Sequence, residues 1–171
     1  TLTKPWFLGA ECDGGFAEYV TVAARHTHPI KSDLKATELA TFPCSYSTAE
    51  NMLVRSGAKV GQRALVTGAS GGVGSAVIQL LKARDVDVVA VSQPAKAEGL
   101  KAIGASQVVS RDTDLRAQFG ENAFDLVVDL VGGPAFTSLL DVLKPGGAYA
   151  VAGAVGGAEV PLDIRTLYLK D

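Results

Sequence analysis

The chain has 171 residues, 47% of them apolar and 20% charged, and a net charge of -2. That length holds one generous domain, or one domain and a piece of another, with enough apolar residues for a substantial core. The scattered lysines and arginines and near-neutral balance argue against nucleic acid or an anionic membrane surface as principal partner, and no apolar run reaches the ~18 residues a membrane span needs.

The two cysteines, Cys12 and Cys44, stand in no metal-knuckle or redox spacing and build no disulfide framework, which suits a reducing cytoplasm. No signal-peptide pattern opens the chain. A soluble protein is therefore expected, and a start at Thr1 in place of methionine reads as a piece excised from something longer.

Residues 1–35 differ from the rest. Thr1 to Cys12 has no clear period, and Asp13-Gly14-Gly15 is a turn signal leading into the strand-like run Phe16 to Val22. Nothing within the stretch could bury that strand's apolar face, so residues 1–35 read as the tail of a neighbouring domain. His26 and His28, in a polar loop before Pro29, read as surface residues. A short helical segment, Ala36 to Thr41, is expected to stop at Phe42-Pro43. A second helix is expected over residues 45–57, with Ser47 or Thr48 as its cap.

The central stretch is Arg63 to Gly74. Ala64 to Thr67 is an apolar run of strand length, Gly68-Ala69-Ser70-Gly71-Gly72-Val73-Gly74 is a glycine-rich turn, and Val73 to Ala83 is an apolar periodic segment. Strand, tight turn and helix in that order bring unpaired N–H groups and the positive end of a helix dipole to a place where glycine allows close approach. A dinucleotide pyrophosphate fits such a site.

Beyond the turn, strands alternate with helices: strand 86–91, helix 95–103, strand 107–109, helix 112–119, strand 124–131, helix 134–143, strand 148–152 and helix 163–170. Near-continuous apolar strands separated by helices predict an α/β fold, a doubly wound parallel sheet of Rossmann type covered on both faces. Right-handed crossovers give strand order 3-2-1-4-5, with no segment left for a sixth strand. Residues 36–171 therefore read as a dinucleotide-binding domain, incomplete at its C-terminus.

The ribose-binding acid of NAD-specific folds lies about 20 residues past the glycines. Here the second strand ends Ala90-Val91-Ser92-Gln93, without Asp or Glu. A carboxylate ~4 Å from a 2′-phosphate would cost about 4 kcal/mol at an effective dielectric of 20. Its absence, a hydroxyl at Ser92 and an ammonium at Lys96 predict NADP(H) in preference to NAD(H).

The string Thr67 to Gly74 also fits the turn of the short-chain dehydrogenases, which use a Tyr-x-x-x-Lys pair. Tyr149 is followed four residues later by Gly153 and Tyr168 lies two residues from Lys170, so the pair is missing and that class is rejected.

With these residues assembled, the chain resembles the medium-chain dehydrogenase/reductase superfamily, in its quinone oxidoreductase and zinc-type alcohol dehydrogenase branches. The resemblance rests on Gly14-Gly15-Phe16-Ala17-Glu18-Tyr19-Val20, on Val66 through Gly74, on Lys101-Ala102-Ile103-Gly104-Ala105, on Asp125 to Gly133 and on Leu143-Lys144-Pro145-Gly146-Gly147. It implies that residues 1–35 close a GroES-like catalytic domain, most of which lies outside the chain. It also implies a small-molecule substrate, and hydride transfer from NADPH to a quinone, enone or carbonyl. Gly68, Ala69, Ser70, Gly71, Gly72, Val73 and Gly74 would hold the pyrophosphate, and Ser92 and Lys96 the adenosine phosphate. Thr48, Val131, Ala152 and Gly153 would lie on the nicotinamide side. No catalytic residue is assigned.

Cys44 matches the position of one catalytic zinc thiolate in zinc-dependent relatives. Zinc catalysis needs three protein ligands, and the family's other two lie upstream of Thr1. The reading favoured here is a small buried thiol beside Phe42 and Pro43, with zinc the alternative. A non-catalytic nucleotide-binding module is a further alternative. The resemblance implies a homodimer in the full-length parent.

Overall fold

The computed structural model describes residues 6–170. The chain divides into two units, Thr1–Lys35 and Ala36–Asp171.

In the first unit the described residues hold one turn of 3-10 helix, Ala24–His26, and no strand over residues 16–22. The run has strand composition, yet a strand persists only where a neighbour takes its backbone hydrogen bonds, and none among the described residues of this unit does so. Tyr19 is 90% exposed.

The second unit opens with α1 (Ala36–Leu39) and α2 (Phe42–Arg55). Helix α2 starts three residues earlier than expected, because Pro43 falls in its first turn, where a missing N–H costs nothing. Ser47 and Thr48 therefore lie inside the helix and cap nothing. The chain then runs through β1 (Arg63–Val66), α3 (Gly72–Lys82), β2 (Asp87–Val91), α4 (Ala97–Ala102), β3 (Gln107–Val109), α5 (Leu115–Phe119), β4 (Phe124–Asp129), α6 (Phe136–Val142), β5 (Leu143–Val151) and α7 (Ile164–Lys170). Asp114 caps α5, accepting a hydrogen bond from the Ala117 amide.

All four strand pairings are parallel, and the order is β3-β2-β1-β4-β5 as the alternation predicts. Alternate residues feed opposite layers. Ala64 and Val66 of β1, Val88 and Ala90 of β2, and Leu126 and Val128 of β4 pack on one side with α2 and α3. Leu65, Val89 and Val127 pack on the other with α5 and α6. Two buried faces explain the unbroken apolar runs, since no strand position can be polar at little cost. The sheet's C-terminal edge, where β1 and β4 diverge to opposite sides, is the crevice at which such folds take ligands.

Candidate functional site

The site is built around the passage from β1 to α3. Thr67 follows the strand and opens the turn, Gly68 has φ +58°, and the Gly71 amide donates to the Gly68 carbonyl at 3.0 Å, which tightens it. A Cβ at Gly68 would lie 3.1 Å from Leu130 Cβ, and one at Gly72 would lie 2.6 Å from Ser45 Oγ on α2. One at Gly74 would lie 2.7 Å from Ala69 Cα. Two tasks are thus divided among these residues. Ala69 and Gly74 are buried and shape the turn, whereas Gly71 and Gly72 are exposed at the helix start. The first amides of α3 have no partner within the helix and form the positive end of its dipole. The geometry fits an anion, and its bare backbone is a cradle that side chains would fill.

A cleft of about 420 Å³ lies over this turn. Gly68, Ser70 and Gly71 form its floor, Lys96 and Arg111 border it, and Leu130, Val131 and Val155 also line it. Lys96 follows β2 and donates from Nζ to Ser70 Oγ at 3.2 Å. Arg111 lies two residues past β3, at the same sheet edge. Among the described residues, neither cation joins an ion pair.

Several expected site residues are brought together here: the glycine turn, Lys96 and Val131. Ser92 stands apart from them. It is 1% exposed, its amide donates to the Val109 carbonyl at 2.9 Å, and its hydroxyl is buried without a partner. Thr48 is half-buried in the second turn of α2 and does not line the cleft. Ala152 follows β5 and donates from its amide to the Asp129 carbonyl at 3.0 Å, and Gly153 packs against the Leu130 carbonyl. Cys44 is exposed, not buried beside Phe42 and Pro43, because Phe42 stacks on Tyr46 at 4.7 Å and leaves the thiol outside. Among the described residues, no three His, Cys, Asp or Glu side chains are grouped to hold a metal ion.

Sequence reasoning missed Arg111, although its position just past a parallel strand was a usable signal. It also missed a buried carboxylate. Asp129, at the end of β4, is 1% exposed. Its Oδ1 accepts from Thr67 Oγ1 at 2.5 Å and from the amides of Val131 and Gly132 at 3.0 and 3.1 Å; Oδ2 accepts from the Tyr149 hydroxyl at 2.6 Å. Burial alone would raise the Asp129 carboxyl, but the hydrogen bonds from Thr67, Tyr149 and the two amides outweigh it and hold it below the ordinary value of 3.8. Burial, and then the adjoining carboxylate, push the Tyr149 phenol well above its ordinary value.

Comparison with known proteins adds the family. Residues 72–171 match the family model described as zinc-binding dehydrogenase. A candidate alcohol dehydrogenase from Sinorhizobium meliloti 1021 is 47% identical and superimposes with a TM-score of 0.91 over 99% of this chain and 48% of that one. YhfP of Bacillus subtilis, a candidate quinone oxidoreductase, is 36% identical over 95% of this chain and 52% of its own; its structure, solved with NAD bound, superimposes with a TM-score of 0.82. The quinone oxidoreductase of Thermus thermophilus, also solved with NADPH, is 33% identical with a TM-score of 0.72, over 80% of this chain and 46% of that one. The chain spans about half the length of the relatives it matches. More than half of it is covered by one family model, and its five-stranded parallel sheet superimposes on those of these relatives: the chain belongs to the medium-chain dehydrogenase/reductase superfamily.

Proposed function

We propose that this chain is the cofactor-binding portion of an NADPH-dependent oxidoreductase that reduces a quinone, enone or carbonyl compound. In this reading residues 1–35 are the tail of the catalytic domain, residues 36–171 are the dinucleotide domain, and the parent is a cytoplasmic homodimer. The observation that carries the cofactor preference is the pair of cations, Lys96 and Arg111, bordering one cleft where the end of β2 offers no carboxylate.

When bound, a reduced nicotinamide supplies the hydride; the protein's part is to bind and orient it. The α3 amides after Gly71 hold the pyrophosphate, as in other folds of this kind. Lys96 and Arg111 pair with the 2′-phosphate, and the arginine can do so with two parallel hydrogen bonds. Leu130, Val131 and Val155 form an apolar wall that excludes water from the nicotinamide half. Ala152 and Gly153, packed on the Asp129 and Leu130 carbonyls, support that half from behind, and Thr48 on α2 is assigned to the same side although it lies outside the cleft.

Calorimetry on the chain tests the preference. NADPH is expected to bind at least about tenfold more tightly than NADH, and Lys96→Ala or Arg111→Ala to remove about tenfold of NADPH affinity while leaving NADH nearly unchanged. Equal dissociation constants for the two nucleotides would sink the proposal. Oxidation of NADPH by the full-length parent over a panel of quinones, enones and aldehydes tests the reaction class. Binding without turnover would favour a non-catalytic nucleotide-binding module.

A second reading rests on the exposure of Cys44 in the first turn of α2, one residue from the Ser45 side chain that lies over Gly72. There it is accessible as one zinc ligand of an alcohol dehydrogenase. Metal analysis of the parent with and without Cys44→Ser decides it: one zinc per chain, lost on substitution, establishes the zinc reading, and its absence removes it.

A further inference from the structure

Among the residues that line the cleft is a buried charge that no part of the cofactor reading uses. Asp129 lies at the switch point itself, where β1 and β4 run side by side and their loops part. An ionised carboxylate at 1% exposure is costly unless every lone pair is occupied, and here four donors reach it. An apolar residue of similar volume would leave those four donors unpaired, so the charge fixes where the segments that carry them stand.

The donors show what that geometry is. Thr67, the first residue of the glycine turn, donates to Asp129 Oδ1 and in return accepts from the Leu130 amide at 3.0 Å. The same Oδ1 gathers the amides of Val131 and Gly132. Tyr149 closes the set from β5, its ring edge-on to Phe136 at 5.2 Å. The loop so held is packed backbone to backbone on the next one. The Gly156 amide donates to the Val131 carbonyl at 2.8 Å, and Cβ atoms at Gly133 and Gly153 would overlap the carbonyls of Gly156 and Leu130. One carboxylate therefore ties the phosphate turn to both loops of the β4–β5 half, and Leu130, Val131 and Val155 on those loops line the cleft.

We propose that Asp129, clamped by Thr67 and Tyr149, is a positioning residue for the nicotinamide half of the site. It sets the Leu130–Gly133 loop and, through it, the Gly153–Gly157 loop against the cofactor. The inference rests on the dinucleotide reading above. In a doubly wound sheet each half binds one mononucleotide, so the Tyr149–Asp129 bond, which joins β5 to β4, acts on the nicotinamide end and spares the adenosine end.

Tyr149→Phe is the test, since it keeps the ring against Phe136 and removes one hydrogen bond, with Asp129→Asn as the companion variant. NADPH, NADH and 2′,5′-ADP serve as calorimetric probes. Tyr149→Phe is expected to weaken NADPH and NADH about tenfold, the scale of one hydrogen bond to a charged group, and to leave 2′,5′-ADP within about twofold. Amide exchange at Val131 and Gly132 should accelerate in both variants while Leu65 and Val66 of β1 stay protected. Unchanged dinucleotide affinity, or equal weakening of all three probes, would overturn the positioning role. Accelerated loop exchange with tight 2′,5′-ADP binding but no loss of NADPH would overturn it while leaving the NADPH reading standing. A wild-type chain that binds none of the probes overturns both.

Discussion

Asp129 and Tyr149 make opposite demands on pH. The folded state holds the Asp129 carboxyl below 3.8, so its stabilising contribution is present above the ordinary carboxylate range and is lost as pH falls through the depressed value. Tyr149 is held above 10.0, so its neutral phenol stabilises the fold below that value and the contribution is lost as pH rises through the raised one. The difference in melting temperature between wild type and Tyr149→Phe should be largest between about pH 5 and pH 9 and shrink toward both extremes. A difference independent of pH would show that the hydroxyl bonds some group other than a carboxylate.

Glycine plays unequal parts along the helices, and substitution separates them. In α3, Gly74 lies against the glycine turn, where a Cβ would fall 2.7 Å from Ala69 Cα and 2.8 Å from the Ala69 carbonyl carbon. Backbone cannot move aside as a flexible side chain can, so Gly74→Ala should cost about 1–3 kcal/mol and distort the glycine turn. In α4, Gly99 has no atom within 4 Å of the Cβ position. Gly99→Ala should instead stabilise by about 0.4–1 kcal/mol, chiefly by restricting the unfolded chain. Thermal melts of the two variants should therefore move in opposite directions. Loss of dinucleotide binding should accompany Gly74→Ala alone. The elements tolerate these differences because α3 is pressed between the β1 turn and α2, whereas α4 lies at the periphery.

For the molecule as a whole, the exposed feature is the outer edge of β5. The strand pairs with β4 on one side, and among the described residues no strand covers the other. It is nine residues long, and Val151 at its end is 60% exposed. An open edge of that length is a template for pairing with another chain. The isolated chain should associate with rising concentration in light scattering, and Val151→Lys should reduce that association without lowering the melting temperature appreciably. Concentration-independent scattering by the wild type would show that the edge is protected.

The alternation of apolar runs and helices, the strand order and the glycine turn were legible in the sequence, because each is written in local chemistry. A strand buried on both faces must be apolar throughout, and a turn packed closely on its neighbours must shed its side chains. The run Phe16 to Val22 was misread for the complementary reason: strand composition is local, but a strand exists only through a partner. Ser92 was visible as a residue type, but the burial of its hydroxyl depended on how β2 and β3 pack. Arg111 joined Lys96 at one cleft only when β3 was placed beside β2. Asp129, Thr67 and Tyr149 lie on three strands or strand ends separated by 62 and 20 residues. No spacing rule connects them. Their convergence is a property of the β1-β4-β5 register, because a buried charge finds its donors only after the chain has brought them together.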